Sequence, residues 1–169
     1  MNNRKYYETL SEKDIRAIGG RISADEEFKA VPEVKGWFIS SEGRLISKRK
    51  GGKVKPVKTY FSTGYEHVTT RIDDRVGKIF AIHQLVARAF LTVPEWIRPG
   101  DIIEFHHIIS VNRKKRIPGI HAARNLTYLP KTIHRTVNAI GKIEIMESGI
   151  YRQYDFVKAA EHMGISPYT

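Results

Sequence analysis

An α+β fold assembled from several small elements is what this sequence predicts, and three observations carry that expectation. Apolar residues come in short runs broken by turn residues, as in "GWFISSEGRLIS" (36–47), rather than in the long runs of one large sheet. Strict alternation in "TGYEHVTTRI" (63–72) puts Tyr65, His67, Thr69 and Arg71 on one face of a strand and Glu66, Val68, Thr70 and Ile72 on the other. Helical spacing is confined to a few segments, the clearest being "HQLVARAF" (83–90), whose Leu85, Val86, Ala89 and Phe90 form an apolar stripe.

The elements follow in order. Residues 1–30 read as a polar, helical N-terminal arm: Ser11 caps a first helix that Gly19-Gly20 stop, and Ser23 with Glu26 makes a capping box for a second. Residues 31–98 read as a small antiparallel module. It has a strand, a turn at Ser41-Glu42-Gly43, a second strand, the alternating strand at 65–72, a polar turn "DDRVG", a strand "KIFAI" and the 83–90 helix. Pro94 and Pro99-Gly100 make a linker, so 99–141 is a separate unit. That unit begins with a strand "DIIEFHH" (101–107), followed by a basic loop and a short strand "NLTYL" (125–129). After Pro130 comes a helix "KTIHRTVNAI" (131–140) with Ile133, Val137 and Ile140 buried. The tail, 142–169, reads as a strand pair and a helix, "FVKAAEHMGIS", with the look of the first helix and turn of a helix-turn-helix.

Composition narrows the function. The absence of cysteine excludes disulfides and thiolate zinc sites. No run of about 18 apolar residues occurs, so no membrane span is expected. "MNNRKYYETLSEKD" lacks the apolar core of a signal peptide, so action in the cytoplasm is expected. Lys and Arg outnumber Asp and Glu by 29 to 18, a net charge of +11. The excess is clustered. Arg44, Lys48, Arg49, Lys50, Lys53, Lys55 and Lys58 crowd one segment, and Arg113, Lys114, Lys115 and Arg116 are consecutive. Two such runs beside a group of histidines favour a polyanion partner, with nucleic acid the commonest.

The chemistry is concentrated in "EFHHIISVNRKKRIPGIHAARNLTYLPKTIHRTVN" (104–138). His106 and His107 are neighbours on a strand and therefore project to opposite sides. His134 and Asn138, four apart on a helix, share a face at the edge of its apolar stripe. A division of labour follows, in which one of the strand histidines ligates a metal and the other takes a proton. Neutral imidazole suits both tasks. Spacing does not say which does which. His67, His83, His121 and His162 are read as surface or satisfied residues.

These residues resemble the HNH, or ββα-metal, nuclease motif. That motif is a strand ending in Asp-His or His-His, an Asn at the second strand, and a helix with His or Asn nine residues later. The matching set here is His106-His107, Asn125 and His134. The segment 31–98, with "WFISSEGRLIS", "GYEHVTT" and "IHQLVARAF", is similar to the nuclease-associated domain that precedes HNH cores in phage and intron-encoded homing endonucleases. The resemblance implies double-stranded DNA as substrate and site-preferring hydrolysis of a phosphodiester, with nicking by a monomer as the simplest form and no obligatory protein partner. It implies His107 as general base, and His106 and His134 as ligands of one divalent cation, with Asn138 either a third ligand or a group that supports the ligands. Asn125 would pin the loop and orient the His107 ring. Relatives of this type usually carry Asp at the position of His106 and Asn at that of His134, a set suited to Mg²⁺, so one divalent ion, Mg²⁺ or Mn²⁺ first, is expected. Two imidazoles shift the preference toward Mn²⁺, Ni²⁺ or Zn²⁺. The basic strands, with Arg44, Lys48, Arg49 and Arg71 beside Tyr60 and Tyr65, would either lie in a DNA groove as a β-ribbon or touch only the phosphate backbone. The alternative is a DNA-binding protein on the same scaffold that no longer cuts.

Overall fold

The computed structural model describes residues 9–48, 52–70, 77–95, 97–109, 111–131 and His134. It is α+β, with small antiparallel sheets and short helices. Helix α1 (Glu12–Ala17) starts at Ser11, whose hydroxyl accepts from the Asp14 N–H while the Asp14 carboxylate accepts from the Ser11 N–H, a complete capping box. Four strands, β1 (Phe28–Ala30), β2 (Trp37–Ser40), β3 (Leu45–Lys48) and β4 (Val54–Pro56), form an antiparallel meander in sequence order. Three more, β5 (Tyr60–Ser62), β6 (Tyr65–Thr70) and β7 (Lys78–Ala81), form a second meander. Helix α2 (Ile82–Phe90) follows β7 without a break, and β8 (Ile103–His107) pairs with β9 (Leu126–Pro130) in a two-stranded ribbon.

One helix joins the three sheets. Ile82, Leu85, Val86 and Ala87 of α2 are buried with Val31, Ile39 and Leu45 from the first meander, Val68 and Phe80 from the second, and Leu126 from β9. The α2 stripe predicted at Leu85, Val86, Ala89 and Phe90 therefore faces this core, with Ala89 and Phe90 at its margin. The linker at Pro94–Gly100 divides the sequence, but the core runs across it.

The arm differs from expectation. Ser23 and Glu26 do not open a second helix; 22–25 is a turn that leads into β1. The Glu26 side chain, buried, accepts from the Ile22 N–H at 2.7 Å and from Arg44 at 2.8 and 2.6 Å. A carboxylate claimed by an arginine from β2–β3 is not free to cap, and tertiary pairing overrides the local box. Arg44 also donates to the Gly20 carbonyl and lies over the Phe28 ring. Lys48, likewise buried, donates to the Thr9 carbonyl and pairs with Asp14 at 2.6 Å. The arm is thus strapped to the first meander by two ion pairs. Of the helix expected over 131–140, Lys131 and His134 are described and both are helical. The tail predicted over 142–169 lies outside the described residues. Among the described residues, no helix is long and apolar enough to cross a membrane.

Candidate active site

The β8–β9 ribbon positions the site. Its register pairs His106 with Thr127 and His107 with Leu126. The alternation of a strand sends the two imidazoles to opposite faces, and both are buried, at 9% and 7% exposure. Phe105, the residue before them, packs on its cross-strand partner Tyr128, ring centres 5.3 Å apart.

On one face, His106 meets His134, ring centres 5.0 Å apart. His134 Nδ1 lies 2.7 Å from Oε2 of Glu104, which shares the His106 face because it is two residues earlier on β8. A ring that gives its Nδ1 proton to a carboxylate keeps the Nε2 lone pair for a metal. Two imidazoles on one ion, at about 2.0–2.1 Å per bond and ~1.1 Å from nitrogen to ring centre, have centres roughly 5 Å apart. The ring spacing on this face is that of two imidazoles sharing one divalent cation, with Glu104 as the group that orients one of them. Glu104 was not anticipated, although its two-residue spacing from His106 was the signal. Asn138, expected as a further ligand, lies outside the described residues.

On the opposite face, His107 enters a group of rings. Its Nε2 is 2.9 Å from Nδ1 of His121, and its ring centre is 5.0 Å from that of His83. Tyr65 packs against all three, with centres 4.9 Å from His83, 5.6 Å from His107 and 6.3 Å from His121. Of the histidines expected to be surface or satisfied residues, His121 is buried with both ring nitrogens hydrogen-bonded, whereas His83 is half-buried among the rings. His67 stacks on Tyr60, and both His67 Nδ1 and His83 Nδ1 are buried without a hydrogen-bond partner. The second nitrogen of His121 fixes the protons. Its Nε2 accepts from the Glu66 N–H at 3.2 Å, so neutral His121 carries its proton on Nδ1 and donates it to His107 Nε2. Nothing in the local sequence signalled this group, because its members come from β6, α2, β8 and the loop before β9.

Burial, and then the neighbouring imidazoles, hold these rings neutral. His83 and His106 are pushed down to about 4 and His107 to about 3, while His121 is lowered in the same way against the opposing pull of Glu66. Three of the four are thus ready lone-pair donors well below neutral pH.

Asn125 closes the loop between the two strands. Its Oδ1 accepts from the Ile109 N–H at 2.8 Å, and its Nδ2 donates to the carbonyls of Ile109 and Ile120 at 3.2 and 2.7 Å. Both ends of the basic loop are pinned by one side chain. The expected bond from Asn125 to the His107 ring is replaced by the bond from His121.

The basic residues divide into two groups. Arg44 and Lys48, expected at DNA, are instead the straps of the arm, with their charged heads turned onto Glu26 and Asp14. Tyr65, expected beside them, belongs to the ring group. Lys53, Lys55 and Lys58 around β4 are exposed, as are Arg113, Lys114, Lys115 and Arg116. Arg116 approaches Glu66 at 3.4 Å and leans over Phe61. Arg49, Lys50 and Arg71 lie outside the described residues. The basic loop is held close to the β5–β6 turn at Gly64. There φ is +94°, and an added Cβ would come within 2.9 Å of the Val111 side chain. Beside the loop opens a cavity of about 270 Å³ lined by Glu42, Phe61, Glu66, Arg116 and His121, among others.

No protein-family model and no curated protein matches the chain. Among solved structures, the chain is similar to that of the HNH homing endonuclease I-HmuI, a protein described as binding and cleaving DNA. The two share 20% sequence identity over 82% of this chain and 68% of that chain, with a TM-score of 0.48.

Proposed function

We propose that this protein is a metal-dependent DNA endonuclease of the HNH type, hydrolysing a phosphodiester of double-stranded DNA at a preferred site and nicking one strand as a monomer. The observation that carries the reading is the meeting of His106 and His134, with Glu104 behind, at the spacing one divalent cation asks for. The motif His106-His107, Asn125, His134 and the exposed cations of β4 and the 113–116 loop support it. When bound there, the cation supplies stabilisation of charge growing on the phosphate and on the leaving oxygen.

The chain's own residues do the rest. His106 and His134 hold the ion, and Glu104 keeps the His134 ring turned to it. His107 takes the proton of the attacking water. In the resting arrangement its Nε2 is covered by the His121 N–H, so His107 becomes a base only when His121 yields that nitrogen. Its proton affinity, depressed by burial, rises when a phosphodiester brings negative charge beside it. Asn125 holds the loop that carries Arg113–Arg116 against the backbone of the duplex, where such contacts position the protein without reading bases.

Plasmid nicking tests this. Supercoiled DNA is expected to be nicked with Mg²⁺ or Mn²⁺ and left intact with EDTA. His107→Ala is expected to lower the rate by roughly 100-fold or more while DNA binding is retained. Equal nicking by that variant, or nicking that survives EDTA, would overturn the assignment. A wild-type chain that binds DNA and does not cut with any divalent ion would leave the binding-protein alternative.

A further inference from the structure

The ring group behind β8 has a geometry that the nuclease reading does not use. We propose that His83, His107 and His121 form a second metal site, separate from His106 and His134 and selective for a borderline transition-metal ion of the Zn²⁺, Co²⁺ or Ni²⁺ class.

Three observations carry the site. One nitrogen from each ring lies within 4.8 Å of one nitrogen from each of the others. The ring centres are separated by 5.0, 5.1 and 5.8 Å. Three imidazoles bound tetrahedrally to one ion, at about 2.0–2.1 Å per bond, have centres ~5.3 Å apart and nitrogens ~3.4 Å apart, so the ring centres already stand near the required spacing and ring rotation brings the nitrogens together. Finally, His83 Nδ1 is buried with no hydrogen-bond partner among the described residues, and buried polar atoms ordinarily have one.

The donor set decides the ion. Three neutral nitrogens and no carboxylate are a poor match for Mg²⁺ or Ca²⁺, which take oxygen ligands, and a good one for Zn²⁺ with a fourth position open to water. His121 also lines the 270 Å³ cavity, together with Glu66, whose N–H donates to its Nε2. Coordination through His121 Nδ1 displaces the proton now given to His107 and moves it to Nε2. There it meets the Glu66 side, whose carboxylate charge already acts on this ring. The Glu66 N–H loses its acceptor in the same event, so its amide reports loading directly.

This site touches the proposed reaction through His107, and that consequence rests on the nuclease reading. An ion on His107 Nε2 removes the lone pair that would accept the proton of water, so loading opposes cleavage. Low Zn²⁺ is expected to inhibit cleavage supported by Mg²⁺, and His83→Ala is expected to relieve that inhibition.

Binding is measured apart from activity. Co²⁺ is titrated into the full chain carrying His134→Ala, which disables the first site, and the visible d–d bands are recorded. Intense bands of a tetrahedral nitrogen site, lost on adding His83→Ala or His121→Gln, together with a shift of the Glu66 amide in the His134→Ala chain, support the proposal. Weak octahedral bands throughout, or bands unchanged by both substitutions, overturn it. Should the substituted chains fail to fold, zinc X-ray absorption of the His134→Ala chain decides: scattering from three imidazoles supports the site, and one or none sinks it. Cleavage that is absent with every metal, alongside tetrahedral Co²⁺ bands, refutes the nuclease reading and leaves the metal site standing.

Discussion

Asn125 shows how much one side chain holds. Its amide makes three hydrogen bonds to backbone at both ends of the basic loop, the one to Ile120 buried and the two to Ile109 partly so. Asn125→Ala removes all three bonds and leaves the buried Ile120 carbonyl without this partner, while water reaches the exposed Ile109, a cost of about 2 kcal/mol. Urea unfolding is expected to show that loss, and amide exchange in the loop is expected to accelerate more than in β2 or β3. The residues of the motif could be picked from the sequence because adjacency on a strand and a nine-residue step are local facts. Glu104 was legible in principle, from its alternation with His106. His83 and His121 were not, since a ring group drawn from four elements has no spacing to read. Arg44 and Lys48 misled for a related reason: charge is visible in a sequence, and the buried carboxylate that claims it is not.

At the scale of elements, the strap between arm and sheet is the least expected feature. Glu26 has a side chain with no exposure and pairs with a largely covered Arg44. Burial alone would raise its carboxyl, yet the bonds from Arg44, Ser40 and Ile22 hold it below the usual carboxylate range. Glu26→Ala strands the guanidinium and is expected to destabilise the protein by about 3 kcal/mol, whereas the double change Glu26→Leu with Arg44→Met recovers most of it. A thermal melt of the three variants checks this. A single substitution as mild as a surface change would show that the arm is not part of the cooperative unit. Most strands and α2 were legible because period-2 and period-3.6 patterns survive tertiary packing. The second arm helix was not, because its cap residue is used elsewhere.

Across the whole molecule, the buried imidazoles make acid the weak side. Burial first, then neighbouring rings, depress His83 and His106 to about 4 and His107 to about 3, while the unfolded chain protonates these groups near 6.5. Between those values the unfolded state binds more protons, so stability is full above pH ~6.5 and falls as pH drops toward 4. Each such ring contributes up to about 1.4 kcal/mol per pH unit. Asp14 and Glu26, lowered in the fold, add a further loss only below the ordinary carboxylate range. Urea midpoints taken from pH 7.5 to 5 at constant salt are expected to decline steadily, and a flat profile would contradict the burial of these rings. The exposed cations set the second global property. Duplex affinity is expected to fall log-linearly with salt. Lys53→Ala with Lys55→Ala should flatten the slope by about one to two, and Lys48→Met, whose head is turned inward, should leave it unchanged. The shared core has an evolutionary consequence as well. Because Leu126 of β9 is buried against α2, the histidine ribbon is not a cassette that recombination can lift out alone. A fragment starting at residue 99 would arrive in its new host with that leucine bare and with His83 left behind, so whatever is inherited must travel with the helix.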